Sequence, residues 1–374
     1  MDVPSIAFHF DSLTDPRTGN AKQYELTEIL IVALLATICD ADDWEAIAEF
    51  GRSGLEWLRT ITPLPNGIPS HDTFARVFSR LDPDALGKCF VNLINDLGDI
   101  RAQQIAIDGK CLRGTRSEAD EKDAIYMVSA WACTQQLVIG QFKVQQKSNE
   151  ITAIPELIDL IRIAGCTITI DAMGCQKEIA KKIISSSADY VLALKDNHPH
   201  LHEDTAMLFD WLQSHPFDER KLDFYETVDH GHGRIETRRC WTTDAVSGLD
   251  PDKKWFGLKS VVKMELTRVH KGKTSVENRY FISSRPSNAK AHLKLVRGHW
   301  GIENRLHWVL DVVFDEDGNR TRKDYAPQNL AVIRHLVLNL LRQEETCKKS
   351  LSIKRQKAGW DSDYLIKVLT SSNN

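Results

Sequence analysis

Apolar residues recur every three to four positions from Tyr24 to about Asn95. Leu26, Ile29, Leu30, Ala33 and Leu34 form one stripe, and Trp44, Ile47, Ala48 and Phe50 another. That period is helical, so the spacing predicts amphipathic helices laid on a core. The turn Pro65-Asn-Gly-Ile-Pro69 interrupts it, and Ser70 follows as the N-cap of a helix carrying Phe74, Val77 and Phe78. Residues 1–98 therefore read as an all-helical N-terminal domain, whose acidity favours packing or dimer formation over reading DNA as a helix-turn-helix.

Beyond Asp99 the pattern shortens. Ile105 to Asp108, Ile125 to Ala132 and Leu137 to Val144 are short β-branched and apolar runs, with loops at Gly109 to Asp123 and Thr134 to Gln136 between them. They predict three consecutive strands, paired antiparallel. A helix follows from about Thr152 to Ala164, with Pro155 suited to a first turn and Ile154, Leu157, Ile158 and Ile161 along one side. Strand Thr167 to Ile170, helix Gln176 to Ser186 and strand Tyr190 to Leu194 complete the order βββαβαβ. From Asn197 to about Lys290 the chain turns irregular. β-favouring pieces at Thr237 to Thr242, Leu258 to Leu266 and Asn278 to Ser283 predict a β-rich insertion at about 198–290, before helix resumes at Ala289. The fold class is α/β. Asp108 ends the first strand and Asp171 ends the strand after the first helix, an arrangement that predicts an RNase H-like catalytic core, a mixed sheet over residues 99–345.

Composition narrows the class. With 374 residues, 42% apolar and 27% charged, the chain is that of an ordinary folded protein of more than one domain. The apolar stretch Ile29 to Cys39 is too short to span a bilayer, and Met1-Asp-Val-Pro-Ser lacks the features of a secretion signal, so the expectation is a cytoplasmic protein. Eight cysteines without a C-x-x-C pair are expected to be reduced core residues rather than zinc ligands. The net charge of −4 does not mark a nucleic-acid binder, but its distribution is uneven. Residues 1–100 hold 7 Lys+Arg against 16 Asp+Glu, whereas residues 290–374 hold 15 against 10. Residues 346–374 read as a basic C-terminal tail in which Lys348, Lys349, Lys354, Arg355 and Lys357 can neutralise phosphates.

Three carboxylates stand where this fold would bring them together: Asp108 in Ile105-Ala-Ile-Asp-Gly-Lys110, Asp171 in Thr167-Ile-Thr-Ile-Asp-Ala172, and Glu303 in His299-Trp-Gly-Ile-Glu-Asn-Arg-Leu-His-Trp308. Such a set can hold two hard divalent cations about 3.5 to 4 Å apart, which points to cutting or joining of a phosphodiester. His299, Glu303 and His307 recur at helical spacing on one face, flanked by Trp300 and Trp308. A zinc site there lacks a further ligand at a recognised spacing. His198, His200 and His202 are expected to cap a strand end or line a loop. Candidates for DNA contact are Lys110, Lys195, Asn197, Arg297 and His299, near the acids, with Arg234 and Arg238 in the insertion string His232-Gly-Arg-Ile-Glu-Thr-Arg238. Trp241 and Trp255 can stack on an unpaired base, but core positions are the better expectation.

Taken together, these strings resemble the H-repeat-associated transposases, a branch of the DDE transposases of bacterial insertion sequences. The resemblance runs nearly end to end. It rests on Asn66-Gly-Ile-Pro-Ser-His-Asp-Thr73, the Asp108 string, Lys147-Ser-Asn-Glu-Ile-Thr-Ala-Ile-Pro-Glu-Leu157, Asp171-Ala-Met-Gly-Cys-Gln-Lys177, Asp189-Tyr-Val-Leu-Ala-Leu-Lys195 and the Glu303 string. It implies that Asp108, Asp171 and Glu303 are the triad and metal ligands, that the metal is Mg²⁺ with Mn²⁺ as substitute, and that the substrate is the end of a mobile DNA element. It further implies double-stranded DNA as partner and a homodimer that brings two ends together. Related transposases often carry Arg four residues before the Glu and Lys seven after, whereas this chain has His299 and Leu310. The alternatives are a nuclease of the same fold without strand transfer and a non-catalytic DNA-binding relic.

Overall fold

The computed structural model describes residues 3–18, 22–96, 103–117, 123–144, 150–215, 222–231 and 233–370. The boundary placed at Asp99, the start of the Lys147 string and His232 lie outside them.

Six helices open the chain: α1 Val3–Phe10, α2 Leu26–Ile38, α3 Trp44–Ser53, α4 Leu55–Leu58, α5 His71–Arg80 and α6 Pro83–Asn95. Their starts follow local chemistry. Asp43 caps α3 by accepting from the Ala46 amide at 2.8 Å, Ser70 caps α5 from Thr73 at 3.4 Å, and Asp82 caps α6 with Pro83 at its first position. Helix α2 departs from the predicted stripe, because it is buried on nearly every side. α1 and α3 flank it, while α12 (Ala326–Gln343) and α13 (Leu351–Trp360) cover it from the other end of the chain. The buried Glu28 is satisfied there by the Leu64 amide at 2.9 Å.

One nine-stranded sheet follows, in the order β3-β2-β1-β4-β5-β9-β8-β7-β6. β2 (Ile125–Ala132), β3 (Leu137–Val144) and β4 (Thr167–Ile170) occupy the expected residues, and β5 runs Asp189–Leu194. β1 pairs antiparallel with β2 and parallel with β4, and β4 pairs parallel with β5. Helices α7 (Glu150–Leu160) and α8 (Lys177–Ser185) make the crossovers, so the order βββαβαβ is present. Pro155 lies inside α7 rather than in a first turn, because the helix already runs from Glu150.

β1 extends over Gln104–Leu112, so Asp108 sits in mid-strand instead of at its end. Gly109 to Leu112, expected in a loop, keep their ladder with β2 as far as Ile125. What stops near Asp108 is only the parallel pairing with β4, whose last pair is Ile107 with Ile170.

The insertion is more regular than its sequence signals. Helix α9 (Pro199–Ser214) was not expected, and it buries Leu201, Thr205, Phe209 and Leu212 along one side. Strands β6 (Asp223–Gly231), β7 (Arg234–Thr243), β8 (Ser260–His270) and β9 (Lys273–Ser283) form an antiparallel meander. β9 also pairs with β5, so the insertion prolongs the central sheet. The outer part of β7 alternates Arg234, Glu236 and Arg238, a polar pattern that hid its strand character.

The chain returns through α10 (Ala289–Ile302), capped by Asn288, then a π-helical turn Glu303–His307 and α11 (Trp308–Val313). After α12, the expected basic tail is instead helices α13 and α14 (Ser362–Thr370). Lys354 and Arg355 are buried within them and so are not phosphate contacts. Lys354 caps the carbonyls of Leu341 and Glu344, and Arg355 pairs with Asp40 at 2.8 Å and Asp42 at 2.7 Å. Lys348 and Lys349 remain exposed, while the Lys357 ammonium lies 4.2 Å from the ring centre of Tyr364.

Candidate metal centre

Parallel register places two of the three acids side by side. Ile107 and Ile170 form the last pair between β1 and β4, and the next residues are Asp108 and Asp171. Alternation along a strand puts them on the face of Ala106 and Thr169, which α10 crosses. Gln104 pins that helix by donating to the Leu295 carbonyl at 2.6 Å and to Thr169 Oγ1 at 3.1 Å. His299 Nδ1 lies 3.1 Å from the same hydroxyl. One turn later the helix delivers Glu303, and Asp108, Asp171, Glu303, His299, Lys195, Arg279 and Trp300 line one cleft.

Asp171 has a local role as well. Its Oδ1 accepts from the amides of Met173 at 3.0 Å and Gly174 at 3.3 Å, which shapes the loop after β4. Asn197 closes that loop by donating to the carbonyls of Ala172 at 2.6 Å and Cys175 at 3.5 Å.

The tightest cluster is Asp108, Glu303 and His307, whose ligand atoms all lie within 4.8 Å of one another. His307 Nδ1 is 3.5 Å from Glu303 Oε2 and 3.7 Å from Asp108 Oδ2. Asp171 is not a member of this set. The π-helical turn begins at Glu303 and ends at His307, a local widening of the helix of the kind that recurs at functional sites. Burial pushes the Asp108 carboxyl up to about 8, helped by the charges of Glu303 and Asp171 and by a hydrogen bond shared with Glu303. Glu303 is held well below the ordinary carboxylate range, first by its hydrogen bond to His307. Burial lowers His299, which keeps that ring neutral. Acids crowded this closely are costly without a counter-charge, and the carboxylates of Asp108, Asp171 and Glu303 in one cleft form an oxygen donor set that fits a hard divalent cation.

The predicted contact residues divide. Lys195 is exposed and lines the cleft. Lys110 is not free: it is 8% exposed and lies 2.6 Å from both Asp311 and Glu316, so it is a buried ion pair rather than a phosphate contact. Asn197 uses its amide on the Asp171 loop. Arg234 and Arg238 pair with Glu236, and Arg238 and Arg297 with Asp229 at 2.6 and 3.1 Å. His299 packs against Thr169. Trp255 is core, as expected, and Trp241 is half-buried beside Phe224. His198 takes the N-cap position of α9, and its Nε2 is 2.7 Å from the Cys175 carbonyl. The sequence places His307 on the Glu303 face, and the structure sets it against both Glu303 and Asp108. Its four-residue spacing from Glu303 was the available signal.

Comparison with known proteins bears on this geometry. Residues 100–340 match the family described as "Transposase DDE domain", and residues 7–94 match the family described as "DDE_Tnp_1-associated". The chain belongs to the DDE transposase family. It is 39% identical to "Putative transposase YncI" of Escherichia coli O157:H7, over 99% of this chain and 96% of that protein. It is 36% identical to "H repeat-associated putative transposase YhhI" of Escherichia coli strain K12, over 100% of this chain and 99% of the relative. A piggyBac transposase solved as a synaptic complex with hairpin DNA is a distant structural likeness. It has 12% identity and a TM-score of 0.43, covering 99% of this chain and 82% of the other. Among the described residues of this transposase-family chain, no helix is long and apolar enough to cross a membrane.

Proposed function

We propose that this chain is an RNase H-like DDE transposase that cuts the ends of an insertion sequence and joins them to target DNA. The observation that carries the reading is the register of β1 and β4, which aligns Asp108 with Asp171 beneath the helix that bears Glu303. Asp108, Asp171 and Glu303 would hold Mg²⁺, or Mn²⁺ in its place, with His307 orienting Glu303. When bound, the cations supply Lewis-acid stabilisation of the charge that develops on the attacking and leaving oxygens.

The chain's own residues do the rest. The cleft seats one phosphodiester against the acids, with Lys195 at its rim. In the first step a water oxygen bonds to phosphorus and the bond to the 3′ oxygen breaks, leaving a 3′-hydroxyl and a 5′-phosphate. In the second, that 3′-hydroxyl attacks a phosphodiester of the target and displaces its 3′ oxygen. Each step exchanges one P–O bond for another, so no covalent protein–DNA bond is required. Residues 1–98 form the N-terminal unit in this reading, the enzyme acts in the cytoplasm, and a homodimer holds the two element ends.

The test is cleavage and joining of labelled DNA that carries the sequences flanking the gene, with Mg²⁺ present. Joined products made by the wild type and lost in Asp108→Asn and Glu303→Gln support the reading. Cleavage without joining replaces it with a nuclease, and cleavage that persists in both variants removes the proposed site.

A further inference from the structure

The π-helical turn that carries Glu303 and His307 is held by a residue far along the chain. Arg342, in the last turn of α12, donates from Nη2 to the carbonyl of Arg305, at the middle of that turn. From Nη1 it donates to the Gln136 carbonyl at 2.8 Å, in the connection between β2 and β3. Its guanidinium lies 4.5 Å from the ring centre of Trp131, which is fully buried. The same indole faces α10, where its Nε1 is 3.8 Å from the place a Cβ on Gly301 would take, two residues before Glu303.

The arrangement is costly. Among the described residues no carboxylate pairs with Arg342, and burial together with the charge of Arg305 pushes its guanidinium down to about 9. The Trp131 Nε1 donor is buried without an acceptor. Gln136 holds φ at 59°, in the left-handed region that a non-glycine residue occupies only under constraint. An arginine that served stability alone would turn its head to water, as long cationic side chains do. Unfavourable features that converge on one contact persist where the surrounding structure fixes a working geometry.

What the contact fixes is the wide turn. Within it the Trp308 amide reaches back five residues to the Glu303 carbonyl. Such backbone is rare and occurs mostly as single turns inside α-helices, so it needs a partner outside its own segment to outlast the regular α form. Arg342 is that partner, with a planar fork on two carbonyls and one face on an indole.

We infer that Arg342 is a positioning residue for the metal centre: its grip on the Arg305 carbonyl keeps the π-helical turn open, so that Glu303 stays turned toward Asp108. The inference rests on the metal-centre reading above and adds the residue that holds its helix acid in place. Arg342 touches neither DNA nor metal, and it acts only through Glu303.

Mn²⁺ binding to the full chain without DNA, followed by titration calorimetry, tests this with no cleavage step. Arg342→Gln should weaken Mn²⁺ about tenfold, as loss of a residue that orients a ligand does. In a Glu303→Gln background the same substitution should change the affinity by less than about twofold, because the carboxylate it positions is gone. Melting curves check that each variant is folded. Where Arg342→Gln melts far below the wild type, Arg342→Lys, which keeps the charge but not the fork, takes its place in the same cycle. Mn²⁺ bound as tightly by the Arg342 variant as by the wild type, or an equal loss in both backgrounds, would overturn the inference and leave the metal centre standing. A wild type that binds Mn²⁺ no better than Glu303→Gln would remove the metal centre itself, and the inference with it.

Discussion

Lys110 Nζ lies 2.6 Å from Glu316, 206 positions away in the chain, in a site where both side chains are buried. Asp311 approaches the same ammonium at 2.6 Å. Burial alone would push Glu316 up, but the charges of Lys110 and Arg334 outweigh it and hold the carboxyl low. The pair ties β1, two residues past Asp108, to the segment after α11, and so sets the distance between the strand acid and the helix acid. Lys110→Met leaves Glu316 and Asp311 without their partner and should destabilise the fold by about 3–5 kcal/mol. Adding Glu316→Gln should recover part of that loss. Urea unfolding of both variants decides it, and a single variant as stable as the wild type would remove the proposed tie.

Gly298 lets α10 lie close on the sheet. A Cβ there would collide with Gln104 Oε1, the side chain that also pins Leu295 and Thr169. Gly298→Ala should therefore cost about 1–3 kcal/mol as an overpacked contact and displace Glu303 from Asp108. Cleavage should fall more than stability predicts, and Gln104→Ala in the same chain should restore some of both. Unchanged melting and cleavage in Gly298→Ala would show that the helix has room.

The raised Asp108 carboxyl has a stability signature. Its folded value, about 8, exceeds the ordinary 3.8, so the folded state binds a proton that the unfolded state releases. Without divalent cation the resulting stability is present at low pH and is lost as pH rises through about 8. Asp108→Asn should then melt higher than the wild type in EDTA at pH 8, with the gap closing on acidification. Mn²⁺ or Mg²⁺ at pH 8 should raise the wild-type midpoint and leave the variant nearly unmoved. Scanning fluorimetry over pH 4 to 8.5 reads both effects, and a destabilised Asp108→Asn at pH 8 would contradict them.

Arg355 latches the C-terminal helices to the end of α2. The guanidinium is fully buried, bonded to Asp40, Asp42 and the carbonyls of Thr37 and Val313, and stacked 4.2 Å from the Phe314 ring centre. Arg355→Met should cost about 3–5 kcal/mol, and Arg355→Lys should rescue little, because an ammonium cannot span four acceptors in a plane. Guanidinium unfolding with limited proteolysis near α13 measures this. A fully stable Arg355→Lys would show that charge alone holds the contact.

Local patterning determined a great deal. The runs of β2, β3 and β4 were legible residue for residue, because these strands are largely buried and rich in apolar and β-branched residues. The three acids that line the cleft stood out because Asp108 and Asp171 follow such runs and Glu303 falls in a helix with a distinctive string. Where polar residues build regular structure, the pattern carried little. The outer part of β7 alternates Arg234, Glu236 and Arg238, and α9 begins among histidines.

Charge was the other limit. Lys110, Lys354 and Arg355 look like phosphate contacts in the sequence, yet they are buried against acids or carbonyls contributed from elsewhere in the chain. A one-dimensional pattern records how often a cation occurs but not which distant carboxylate neutralises it. The same holds for His307: its spacing from Glu303 is local, but its approach to Asp108 depends on how α10 crosses the sheet and on the π-helical turn. The sequence alone determined the βββαβαβ order of the core elements and singled out the three acids that the structure brings to one cleft, since both follow from short-range patterns. Only the tertiary structure decided which charges remain free to meet a ligand, because that depends on long-range pairing in a low-dielectric interior.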